Sequence, residues 1–170
     1  MEKTIPKRIH IIGSIGSGKT TLAKTLSNQL NIPYYELDNV VWKRFDSGDT
    51  KRTEQERNEF LSSIVITENW IIEGVHHKWV SPCFKNADLI LFLDTNFSTR
   101  RFRIIKRFLM QKIGIEKANY KPTLKILKDL YNYNTVFEHK SKPEIFDMLT
   151  SYNNKLVILK GNNEVKNYFN

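Results

Sequence analysis

The chain has 170 residues, 40% of them hydrophobic and 26% charged, with a formal net charge of +9. That is the size of one domain with a sizeable core and the composition of an ordinary globular protein. A single cysteine, Cys83, excludes a disulfide framework and a C-x-x-C metal signature, and no apolar run reaches membrane-spanning length.

The opening segment, Met1 to Pro6, lacks the apolar stretch of a signal peptide, so the cytoplasm is the expected compartment. The positive charge is regional. From Arg100 to Lys142 there are twelve Lys/Arg against three acids, which accounts for the whole excess of +9. Such a region suits polyphosphate, nucleic acid or an acidic surface.

In chain order, Arg8 to Ile12 reads as a short buried strand, β-branched and apolar. It runs into Gly13-Ser14-Ile15-Gly16-Ser17-Gly18-Lys19-Thr20, which fits G-x-x-x-x-G-K-[ST] at every fixed position. Glycines keep side chains away, so that backbone N–H groups can turn around a phosphate. Lys19 is then placed to reach the β- and γ-phosphates, and the Thr20 hydroxyl to bind Mg²⁺. Leu22, Leu26 and Leu30 recur at helical spacing after the loop. Strand, glycine loop and helix is the order the motif demands, and the helix N-terminus adds attraction for an anion.

Asn31-Ile32-Pro33 ends that helix, and Tyr34 to Leu37 reads as the second strand, with Asp38 at its tip. In an open α/β sheet a residue there faces the ligand edge. Residues 39–68 exceed what a plain crossover needs and are expected to hold an acceptor. Within them Thr53-Glu54-Gln55-Glu56 is a capping box that starts a helix, and Arg52 just before it is either an anion contact or a solvated arginine.

Trp70 to Gly74 reads as the third strand, ending in Glu73, a carboxylate suited to orienting Mg²⁺ through water or to binding substrate. His76 and His77 follow. They are expected in a loop, with substrate contact open to His76 and no metal role. Ala87 to Asp94 is a buried parallel strand, with Asp94 either behind a metal or capping the next helix.

Ser98 or Thr99 is expected to cap a helix to about Gln111, with Phe102, Ile105, Phe108 and Leu109 as its buried stripe. Arg100, Arg103 and Arg107 share another face, and arginines so placed favour an anion between them. Residues 108–122 are expected to form a short basic lid carrying Lys117 and Lys121. Pro122 opens a helix with Leu124, Leu127, Tyr131 and Phe137 periodic, and another helix follows Pro143. Lys155 to Leu159 is the last strand, Lys160-Gly161-Asn162-Asn163 a turn, and Glu164 to Phe169 a short helix.

Five strands separated by helices, with the phosphate loop after the first, define an α/β protein of the three-layer P-loop NTPase fold. The expected sheet is five-stranded and parallel, with small substrate-binding and lid subregions. The spacing Gly13-x-x-Gly16-x-Gly18-Lys19-x-Thr21 resembles the nucleoside-monophosphate kinases, adenylate kinase above all. Arg103-Ile104-Ile105-Lys106-Arg107 is similar to that family's R-I-x-x-R helix, which implies nucleotide contact by Arg103 and Arg107. Glu73-Gly74 falls where the family has Asp-Gly, and Gly161 where it packs its chain on the adenine ring. Leu37-Asp38-x-x-x-Trp42 and the Trp70–Gly74 and Ala87–Asp94 strands resemble, more narrowly, bacterial adenylate-kinase-related proteins labelled DNA topology modulation proteins.

The resemblance implies ATP and Mg²⁺ as cofactors, and phosphoryl transfer to a small acceptor. Lys19, Arg103, Arg107 and Asp38 are its catalytic candidates. Gly13 through Thr21, with Arg103 and Gly161, would hold the nucleotide, Thr21 at its α-phosphate. Asp38, Arg52, Glu73, Gly74 and His76 would meet the acceptor, and Thr20 and Glu73 the metal, the latter through water. A nucleoside monophosphate is the first expectation for the acceptor, with a non-nucleotide alcohol beside it. A nucleic-acid-associated ATPase is the alternative of another class.

Overall fold

A computed structural model describes residues 5–116 and 121–165. The strands that build the main sheet are β1 (Arg8–Gly13), β2 (Tyr34–Glu36), β5 (Trp70–Gly74), β6 (Leu89–Leu93) and β7 (Leu156–Leu159). They lie in the order β2-β5-β1-β6-β7, and every pairing is parallel. The five expected strands are all present. Two further strands, β3 (Trp42–Lys43) and β4 (Thr50–Lys51), pair antiparallel between β2 and β5.

Alternation along the strands splits the core in two. Ile9, Ile11, Ile71, Leu89, Leu91 and Leu93 face one side, where they meet Leu22, Ala23 and Leu26 of α1 (Lys19–Leu30). Ile12, Ile72, Ile90 and Phe92 face the other. There they pack on α3 (Glu54–Val65), α4 (Ser81–Asn86) and α7 (Lys142–Leu149) through Leu61, Phe84, Ile145 and Leu149. Side chains two apart on a strand share a face, so a nearly unbroken apolar run fills both cores. Asn31 ends α1 in the left-handed conformation, and Thr53 and Glu56 form the anticipated capping box on α3.

Strand β2 ends one residue earlier than expected, and an unexpected short helix α2 (Leu37–Val41) follows, so Asp38 sits in its first turn. An acid there is favoured by the helix dipole. The larger departure is α5 (Phe97–Lys112), capped by Asn96 rather than Ser98 or Thr99. Of its expected buried stripe only Phe108 is buried. Phe102, Ile105 and Leu109 are 66%, 38% and 53% exposed, and the inward face is instead Arg100, Ile104, Phe108 and Gln111. Arg100 tolerates that place because its guanidinium is paired with Glu138 and lies near the rings of Phe97 and Phe137.

Helix α6 (Leu124–Val136) passes through a π-turn at Phe137–Ser141 into α7. The backbone stays helical across both junctions, so the expected separate helices form one continuous helical run. After β7 the chain makes a 3₁₀ turn, Asn162–Val165. The remainder of the short helix expected there, and the lid residue Lys117, lie outside the described residues.

His10 faces the α4 side of the sheet, fully buried, its ring edge-on to Phe84 at 4.7 Å and neither nitrogen hydrogen-bonded among the described residues. Burial pushes its pKa down to about 3. The unfolded chain therefore binds a proton here below about pH 6.5 that the fold refuses until about pH 3, so this group destabilises the protein as pH falls through that window. Between pH 7 and pH 4.5 it should remove about 2–3 kcal/mol. Urea unfolding at the two pH values should show that His10→Leu loses less stability on acidification than the wild type by this amount.

Candidate functional site

The carboxyl ends of β1, β5 and β6 adjoin, with Ile12 beside Gly74 and Gly13 beside Leu93. The loop from Gly13 to Thr20 leaves β1 at this edge and enters α1. Its carbonyls are held from outside. Ser14 O accepts from the Lys19 ammonium at 2.9 Å, and Gly16 O from Arg103 Nη1 at 3.1 Å. Ser17 O accepts from Thr95 Oγ1 and Arg103 Nη1, both at 3.0 Å, and Gly18 O from Asn162 Nδ2 at 3.2 Å.

Across a planar trans peptide the C=O and the following N–H point opposite ways. Fixing the Ser17 and Gly18 carbonyls therefore turns the Gly18 and Lys19 amides away from those partners. Helix α1 has no side-chain cap at its N-terminus, so its first-turn amides are free to meet an anion. Gly16 has φ +73°, and a Cβ there would stand 2.9 Å from the carbonyl oxygen of Arg100, so only glycine fits. Thr21, one residue past the motif, lies exposed in the first turn of α1.

Two carboxylates stand near the half-buried Lys19. Glu73, at the tip of β5, is 4% exposed and accepts from Thr20 Oγ1 at 2.5 Å. Burial raises its pKa, against the pull of Lys19 and of the Thr20 hydrogen bond. Burial likewise lowers the Lys19 pKa, opposed first by Glu73 and then by Asp38. Asp38 is the open one, its side chain 69% exposed, with His76 Nε2 3.7 Å from Oδ1. That imidazole holds the Asp38 carboxyl below its ordinary range, with burial opposing. His77 turns elsewhere, to Glu144 at 3.3 Å, as two neighbours in extended chain must.

The three α5 arginines do not share one target. Arg100 is buried on Glu138, which corrects its expected phosphate contact. Arg103 clasps the loop's carbonyls, and Arg107 pairs with Glu116 at 3.2 Å while also acting on Lys19 by charge. Arg52 donates to the carbonyls of Asn39 and Val40, at 2.7 and 3.2 Å, and stacks 4.6 Å over Phe60. A cation is favoured at those carbonyls because they end helix α2. Asp94 does not cap the next helix, which Asn96 does; it joins Lys142 at 2.5 Å to Lys160 at 2.6 Å. Gly161 adjoins Asn162 in the turn beside the phosphate loop, with open space around its Cα.

Sequence reasoning missed Thr95, Asn162, Tyr133 and Asn134. Burial and the charge of Asp38 raise the Tyr133 pKa, and Asn134 accepts from Ser14 Oγ at 3.2 Å. The signal for Asn134 was available: it falls on the stripe Leu127, Tyr131, Asn134, where spacing calls for an apolar residue.

For the divalent cation that the motif implies, the donors fit. Thr20 and Glu73 offer hard oxygens, and such sites keep water and substrate phosphates as their other ligands. Among the described residues there is no group of three or more His, Cys, Asp or Glu able to hold a metal by itself. No helix among them is long and apolar enough to cross a membrane.

A parallel sheet with a glycine-rich loop and an uncapped helix at the end of its central strand defines a P-loop nucleotide-binding protein. The family described as AAA domain matches residues 9–119, and the chain belongs to it. The Bacillus subtilis (strain 168) protein YqaC is 33% identical over 107 residues, which are 60% of this chain and 59% of that protein. Shikimate kinase of Bacteroides fragilis (strain YCH46) is 37% identical over 131 residues, 72% of this chain and 69% of the relative. A solved shikimate kinase from Bacteroides thetaiotaomicron is 20% identical, with 77% of this chain and 83% of that chain covered, at TM-score 0.49. The chain spans about three fifths of the length of the first of these relatives.

Gly74 packs directly against Leu37 of α2. A Cβ on it would meet Leu37 Cδ1 and Cβ at 2.6 and 2.7 Å, so Leu37, next to Asp38, would have to move. Gly74→Ala should lower the stability measured by urea unfolding by about 1–3 kcal/mol, the usual cost of overpacking.

Proposed function

We propose that this protein transfers the γ-phosphoryl group of ATP to a hydroxyl of a small acceptor. The observation that carries the reading is the convergence of Lys19, Glu73 and Asp38 at one sheet edge: a cation within the phosphate loop, a buried carboxylate on Thr20, and an exposed carboxylate kept ionised. Phosphoryl transfer asks a protein mainly for positioning and charge neutralisation. Lys19 and the loop amides hold the β- and γ-phosphates. Thr20, and Glu73 through water, would hold Mg²⁺, which would supply neutralising charge at those phosphates. Asp38 accepts the proton of the attacking hydroxyl, with His76 beside it to steady the carboxylate. Arg107, near enough to act on Lys19, adds positive charge as the transfer proceeds.

Two acceptor classes remain from the sequence, and the arrangement favours the alcohol over the nucleoside monophosphate. A monophosphate acceptor needs a free cation for its own phosphate. Arg52, the candidate on the acceptor side, is engaged with the α2 carbonyls. The shikimate kinases among the relatives point the same way, and shikimate therefore heads the acceptors to try.

Purified protein with Mg²⁺ and ATP should release ADP in the presence of shikimate or another polyhydroxylated acid, and not with a panel of nucleoside monophosphates. Turnover with a monophosphate alone would reverse the acceptor assignment, and no acceptor-dependent ADP release across the panel would refute the transferase reading. Asp38→Asn should lower kcat by about 10²–10⁴ while leaving ADP affinity within a few-fold, since a general base acts on transfer rather than on nucleotide binding.

A further inference from the structure

Asn134 is the one buried residue of α6, and it is fully buried. Asparagine is a poor residue for a helix interior, and a buried amide costs free energy unless both polar atoms find partners. Only one does here. Oδ1 accepts from Ser14 Oγ at 3.2 Å, while Nδ2 has no partner among the described residues. Replacing both partners of such a bond by apolar groups is close to neutral, whereas removing Asn134 alone leaves the buried Ser14 hydroxyl without its acceptor.

What distinguishes the position is its neighbour. The carbonyl of the same Ser14 receives the Lys19 ammonium at 2.9 Å. Four residues beyond Asn134, Glu138 pairs with Arg100, whose carbonyl oxygen lies against Gly16. The end of α6 and the π-turn after it thus meet the phosphate loop at two points, Ser14 directly and Gly16 through Arg100. The preceding residue, Tyr133, feels the charge of Asp38, so this turn of the helix lies toward the gap between the loop and Asp38.

We propose that Asn134 is a positioning residue of the phosphate loop. Its amide fixes the Ser14 side chain, and with it the peptide that holds Lys19, so nucleotide affinity depends on a side chain 120 residues away in sequence. This rests on the nucleotide-binding reading of the loop. It acts through Ser14, and no contact of its own with a ligand is required.

The test measures ADP affinity by calorimetry with Mg²⁺, and the thermal midpoint without ligand, for the full chain and for Asn134→Leu, Ser14→Ala and the double variant. Each single substitution should weaken ADP binding about tenfold, the worth of one hydrogen bond. The double variant should be no weaker than the weaker single, because both remove the same contact. Asn134→Leu leaves the buried Ser14 hydroxyl unpaired and should melt lower than the wild type, whereas the double variant, which removes both polar groups, should melt no lower than Asn134→Leu.

Affinity within twofold of wild type in either single variant would overturn the inference. So would full multiplication of the two losses, or a loss of affinity in Asn134→Leu that Ser14→Ala does not share, which would mark a packing residue. If Asn134→Leu does not fold, Ser14→Ala decides alone, an unchanged affinity counting against the proposal. A wild-type chain with no affinity for ADP would overturn the nucleotide reading together with this inference, whereas tight wild-type binding that the variants share would overturn only the latter.

Discussion

The feature on which the rest depends is the way the loop's carbonyls are tied down. A run of backbone amides attracts an anion only if the peptides cannot rotate, and a glycine-rich segment left to itself rotates freely. Here each restraint comes from a different element. Lys19 comes from α1, Thr95 from the end of β6, Arg103 from α5 and Asn162 from the turn after β7. The parallel sheet brings these together, because the carboxyl ends of β1, β6 and β7 lie side by side. A site assembled this way is a property of the whole fold, and the motif alone would not hold it.

Charge is arranged around that loop in two zones. Inside, Lys19 faces Glu73 and Asp38, one carboxylate buried and one open, whose environments push their pKa values apart. Outside, three cations of the basic segment, Arg100, Arg107 and Lys142, are paired within the protein among the described residues. Arg100 and Lys142 share Glu138, and Lys142 and Lys160 share Asp94. This chain of pairs staples α5, the π-turn and the tips of β6 and β7 beneath the phosphate loop. The regional excess of cations is thereby partly a device of construction.

Much of this was legible from residues alone where physics leaves one answer. Apolar runs such as Leu89 to Leu93 can only be buried parallel strands, and the capping box at Thr53 can only start a helix. Helix α5 misled for an equally physical reason. Its outer stripe of Phe102, Ile105 and Leu109 is as periodic as its inner one, and periodicity cannot say which face turns inward. The inner face contains Arg100, which sequence alone assigns to solvent or to a ligand, and only the partner Glu138, 38 residues on, makes its burial affordable. Arg52 and Asn134 teach the same lesson from opposite sides. Their roles are set by contacts with Asn39, Val40 and Ser14, which local pattern does not reveal.

The central claim is that loop amides and one lysine grip a polyphosphate. It is tested most directly by following backbone amide resonances while Mg²⁺ and ADP are added to the folded chain. The account expects saturable shifts concentrated at Gly16, Gly18, Lys19 and Thr20, and their loss in Lys19→Met. A chain that stays folded and shows no saturable shift at those amides, or shows it only in the basic surface of α5 and α6, would contradict it.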